Sequence, residues 1–308
     1  METWLCPAPQ AADYLRLFSE PDLWARARAK VSAFQVYIQH VLSAEPTPQN
    51  PNSYDALCGV RAFERLREWG VPLALEIGAV KPGSCDGRHY LAETMRCIER
   101  IEAARGTVGV VAIDEPLSSG LYHCGHQPLD VTAEATAHYI RSLRAFRPGL
   151  VVGHIEAWPS SRAVAVADFW SALQDARPDF LHLDVDRYAV RDQRVGRHET
   201  ERDLRELYEL ASRHGVPFGL LAWGQRAATD AYYRMDTMRW LRPEQHDRER
   251  WPVNWAHDRA VVEPDRWIVQ SFDMRHGTDR SDVPACLPET DRATLTALVH
   301  EFHGGDIS

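Results

Sequence analysis

The chain has 308 residues, 44% of them hydrophobic and 26% charged, which is enough apolar material for a large buried core. A formal net charge of −9, with no basic stripe or arginine-rich tail, argues against nucleic acid as a partner, and no apolar run approaches the roughly 18 residues of a membrane span. Positive charge is carried by 33 Arg and only two Lys, Lys30 and Lys81, a bias that reads as GC-rich coding; six scattered Cys with no Cys-x-x-Cys read mostly as reduced and packed.

The first seven residues, Met-Glu-Thr-Trp-Leu-Cys-Pro, lack a basic segment followed by an apolar one. They predict a cytoplasmic protein, or a secreted one if the chain has been trimmed. Residues 3–6 form the first short apolar run, and helical patterns at 11–19 and 21–30 follow it. A second run covers 31–38, and apolar spacing near 3.6 predicts one helix over 54–69. The alternation continues with strands at 72–77, 108–113, 150–155, 180–185, 217–223 and 267–272. Helices are predicted between and after them at 90–104, 132–146, 165–176, 200–214, 230–241 and 292–302. Residues 243–265 form an excursion before the last strand and carry Trp251 and Trp255. Helix-to-strand turns are tight and rich in Gly or Pro. Strand-to-helix connections (39–53, 81–89, 117–130, 186–199) are longer and irregular. Eight apolar strands alternating with helices, with long loops at one end, predict an α/β fold: one (β/α)₈ TIM barrel over 1–308. No Gly-rich phosphate turn supports the doubly wound alternative.

Chemistry in such a barrel sits at the C-terminal strand ends, and acids collect there. Strand three carries Glu76, strand four Asp114 and Glu115, strand five Glu156, and strand six Asp184 and Asp186. Neighbouring strands are about 4.8 Å apart, so these carboxylates fall in the separation range that glycosidases use. Crowding keeps some of them protonated and able to act as general acids. Asp114 and Glu115 are adjacent, so in a regular strand only one would face the mouth. Glu115 is the expected site residue and Asp114 its orienter. Glu156, Asp184 or Asp186 is the expected base or nucleophile, and Glu76 a binding group or a buried structural acid. Tyr37, Gln39, Trp158, Tyr188, Trp223, Gln225 and Gln270 occupy the other strand ends. Rings and amides opposite acids suit a polyhydroxylated small molecule or oligosaccharide, although rings at strand ends also serve as core.

Cys85, His89, His123, Cys124 and His126 lie on the loops after strands three and four. They could form a Cys85–Cys124 disulfide, hold zinc, or be solvated loop residues. A divalent-metal sugar isomerase or epimerase using Glu115, Glu156, Asp184 and Asp186 is the alternative enzyme, and a non-catalytic saccharide-binding barrel the alternative to catalysis. The preferred reading needs no metal or cofactor. There is no G-x-S-x-G nucleophile motif.

Ile113-Asp114-Glu115-Pro116 resembles the fourth-strand end of the large (β/α)₈ glycosidase clan that reads Asn-Glu-Pro. The resemblance implies that Glu115 is a general acid/base, with Asp114 in place of the Asn. The clan's nucleophile Glu at the end of strand seven is replaced here by Ala222-Trp223-Gly224-Gln225. An Asp-Glu pair ending strand four also resembles the hexosaminidase barrels. There the Asp positions a substrate acetamido group and no enzyme nucleophile is needed.

Overall fold

The structure is a computed structural model. It describes residues 1–47, 50–186, 189, 194–223, 262–271 and 284–305. Eight parallel strands close into a barrel in sequence order: β1 (Glu2–Cys6), β2 (Ala33–Tyr37), β3 (Leu73–Ile77), β4 (Val108–Asp114), β5 (Val151–Trp158), β6 (Leu181–Val185), β7 (Phe218–Ala222) and β8 (Arg266–Gln270). β1 pairs with β8, so no sheet edge remains open. Each strand overlaps one of the expected apolar runs because strands covered on both faces are apolar along their whole length.

The described helices include α1 (Arg16–Ser19), α2 (Ala25–Arg28), α3 (Ile38–Leu42), α4 (Tyr54–Gly59), α5 (Ala62–Glu68), α6 (Arg88–Ala103), α7 (Pro116–Ser118), α8 (Leu129–Phe146), α9 (Ala163–Ala172), α10 (Arg197–Arg213) and α11 (Leu295–Phe302). The helix expected over 54–69 is two helices. Arg61 takes a left-handed conformation (φ 56°) between them, and its guanidinium pairs with Glu64 at 2.7 Å and Glu68 at 3.1 Å. α3 follows β2 without a loop, where the sequence suggested an irregular connection. The Tyr37 N–H donates to Nδ1 of the buried His40 at 3.2 Å, whose burial pushes its pKa down to about 3 and leaves it neutral. The expected helix at 230–241 and most of the 243–265 excursion lie outside the described residues.

Alternate residues of each strand point into the barrel. Trp4, Phe180, Leu221 and Ile268 pack the interior. The Phe180 ring stacks on His182 (centroids 4.2 Å) and meets Trp4 edge-on (5.5 Å). Gly153 makes room for that ring, since a Cβ there would lie 2.1 Å from Phe180. Above this plug, at the C-terminal strand ends, the interior becomes polar.

Candidate active site

A cavity of about 460 Å³ opens above the apolar plug. Glu76, Asp114, Glu115 and Asp184 line it, together with Tyr37, Gln39, Trp223 and Gln270. The structure therefore brings together eight of the residues singled out in the sequence. The other lining residues include Gly78, Lys81 and Tyr90, which were not anticipated. Tyr188 and Gln225 lie outside the described residues.

Both acids of the Asp114-Glu115 pair reach the cavity because the strand ends between them. Asp114 is the last residue of β4 and points inward. Glu115 then turns into the left-handed region (φ 48°, ψ 48°), and Pro116 starts α7. The Glu115 N–H donates to the Ile155 carbonyl at 2.9 Å, which fixes the turn to β5. Burial, and then the Asp114 charge, push the Glu115 carboxyl up to about 8, against the opposing pull of Lys81. The Lys81 Nζ sits 2.7 Å from Asp114 Oδ2 and 3.6 Å from Glu115 Oε2. Burial alone would lower its pKa, but Asp114 and Glu115 outweigh that and raise it, so it stays a cation. Glu76 is raised well above the carboxylate range, first by burial and then by Asp114. The buried Gln35, another residue the sequence reading missed, donates its amide to Glu76 Oε2. The Trp223 indole N–H donates to Asp184 Oδ1 at 2.9 Å, and the Tyr37 hydroxyl donates to the Ser271 carbonyl at 3.3 Å. One wall of the cavity thus carries two carboxyls pushed toward the protonated form beside a fixed ammonium.

Glu156, Trp158 and Asp186 do not reach the cavity. β5 runs through Trp158, and its period-2 alternation keeps Ile155 inside the barrel and turns Glu156 outward with His154 and Trp158. Glu156 is fully buried between the sheet and the helices. The Trp170 indole can only donate, and it does so to His154 Nδ1 at 2.9 Å. His154 is therefore left to donate from Nε2 to Glu156 Oε2, also at 2.9 Å. The same carboxylate accepts from the Ser161 hydroxyl at 3.0 Å and from the N–H groups of Leu117 and Ser118 at 3.2 and 3.3 Å. Burial favours its protonated form, but the His154 and serine hydrogen bonds outweigh this and hold the carboxyl below its ordinary value. Glu156 anchors α7 and hence the turn that presents Glu115. Trp158 is core, with its indole donating to Asp203 at 3.2 Å. Asp186 pairs with Arg194 at 2.7 Å and accepts from the Ala189 N–H.

Cys85 and Cys124 form a disulfide that joins the loop after β3 to the loop after β4. This removes their thiolates from any zinc site, and His89 pairs with Glu93 instead. Among the described residues no group of three or more His, Cys, Asp or Glu is arranged to hold a metal ion. Outward-facing Glu156 and Arg194-paired Asp186 leave two of the four ligands expected for a divalent cation away from the cavity. Among the described residues, no helix is long and apolar enough to cross a membrane.

The closed parallel barrel with a polar C-terminal cavity places the chain among α/β-barrel proteins. No family model and no curated protein matches it. Solved structures match its fold. The GH53 catalytic domain of Ignisphaera aggregans is 9% identical, with a TM-score of 0.52 over 94% of this chain and 88% of that one. A deoxyribose phosphate aldolase from Aeropyrum pernix is 11% identical, with a TM-score of 0.42 over 71% and 74%. A phosphoenolpyruvate phosphomutase from Streptomyces platensis subsp. rosaceus is 13% identical, with a TM-score of 0.40 over 72% and 68%. The likeness to the GH53 domain concerns the barrel, a fold that hosts many chemistries.

Proposed function

We propose that the protein is a carbohydrate-active enzyme that hydrolyses a glycosidic bond, with Glu115 as general acid and Asp184 as the base or nucleophile. The observation that carries this reading is the cavity at the C-terminal strand ends that Glu115 shares with Glu76, Asp114 and Asp184, where burial pushes the Glu115 carboxyl up to about 8. Glu115 gives its proton to the glycosidic oxygen as the bond from that oxygen to the anomeric carbon breaks. Asp184, oriented by the Trp223 indole, either attacks the anomeric carbon or takes the proton of an attacking water. The stereochemistry of the product distinguishes these two routes. The rings of Tyr37, Tyr90 and Trp223 offer stacking faces for sugar C–H surfaces, and the amides of Gln39 and Gln270 offer directional partners for hydroxyls. A cavity of this size takes a small saccharide or the end of a longer one. The Cys85–Cys124 disulfide supports an oxidising compartment over the cytoplasmic one expected from the first residues.

The test is turnover of a panel of aryl glycosides by the wild type and by Glu115→Gln. A fall in kcat of about 10²–10⁴-fold is expected on losing the acid. Unchanged turnover in Glu115→Gln removes the assignment. Saccharide binding without turnover in the wild type favours a binding barrel instead.

A further inference from the structure

Lys81 is one of two lysines in a chain that otherwise uses arginine 33 times, and it is the one that enters the cavity, with its side chain only 21% exposed. Its path is specific. A Cβ at Gly78 would lie 2.3 Å from Lys81 Cγ, so the lysine stem occupies the space a side chain would take. The Lys81 carbonyl accepts from the Ser84 N–H at 3.0 Å, which pins the residue's backbone. The ammonium ends markedly closer to Asp114 (2.7 Å) than to Glu115 (3.6 Å). Two consecutive carboxyls opening into one cavity would otherwise compete for a single proton. A compact point charge set nearer to one of them decides the competition.

We propose that Lys81 is a positioning residue that sorts this acid pair, holding Asp114 as the anion so that the transferable proton resides on Glu115. The proposal rests on the reading of Glu115 as a proton donor. Among the described residues, the other charged or titratable groups lining the cavity are Glu76 from β3, hydrogen-bonded by Gln35, Asp184 from β6, hydrogen-bonded by Trp223, and the phenols of Tyr37 and Tyr90. Glu156 on the outer face of β5 adds its charge from behind the turn. These are all acids, so among the described residues Lys81 supplies the positive charge that the asymmetry needs.

The test is carbon-13 NMR of the aspartate side-chain carboxyls at pH 6.5, with the Asp114 signal identified by its loss in Asp114→Asn. Asp114 is expected to be ionised in the wild type and in Lys81→Arg, which keeps the charge, and protonated in Lys81→Met. In turnover, Lys81→Met is expected to lose at least tenfold in kcat with KM little changed. An Asp114 that stays ionised in folded Lys81→Met overturns the proposal. If Lys81→Met does not fold, Gly78→Ala displaces the lysine stem and is read in the same way. The titration is measured without substrate. An Asp114 that responds in a protein with no glycosidase activity therefore sinks the reaction and keeps the sorting, whereas an unresponsive Asp114 sinks the sorting whatever the activity.

Discussion

Glu115 holds a left-handed backbone conformation that costs a non-glycine residue about 1–2 kcal/mol. That strain sits at the residue whose side chain faces the cavity, where strained backbone is most often found in enzymes. Its protonation sets the expected pH profile. The proton-donating form exists below the raised value, so kcat/KM is expected to fall as pH rises through about 8. An activity that keeps rising above pH 9 would assign the proton donor elsewhere. Glu115, Asp114, Asp184 and Glu76 could be found in the sequence because acids interrupting apolar runs stand out. Lys81 could not, because its role depends on a loop that folds back over Gly78. Its one sequence signal was its rarity among arginines, and that signal was assigned to coding bias.

At the scale of elements, β5 separates the legible from the illegible. Its expected span ended at residue 155, which would have freed Glu156 from the pleat. The strand continues to Trp158, and alternation carries Glu156 to the outer face. Apolar character marks where a strand begins more clearly than where it stops, because a strand-end acid can be either a mouth residue or a buried anchor. The anchor role has a measurable consequence. Glu156→Ala leaves His154, Ser161 and two N–H groups of α7 without their acceptor. It is expected to destabilise the fold by roughly 3–5 kcal/mol in denaturant unfolding. Glu156→Gln keeps an acceptor oxygen and should cost less. A loss below about 1 kcal/mol in Glu156→Ala would deny the anchor role.

For the whole molecule, the eight strands could be read from their apolar runs, and the break in 54–69 could not, since it depends on one residue, Arg61, leaving the helical region. The barrel interior is closely packed where Gly153 faces Phe180. Gly153→Ala is expected to destabilise the protein by about 1–3 kcal/mol or more, read as a lowered Tm, because the ring is closed in by His182 and Trp4. An unchanged Tm would mean that the interior yields more readily than close packing allows. The Cys85–Cys124 bond gives the molecule a covalent shortcut. Lys81 lies just before one half-cystine and Glu115 shortly before the other, while the main chain between them runs the full length of α6 and back up β4. The disulfide thus gives ammonium and acid a second covalent connection, shorter than the main-chain route through α6 and β4.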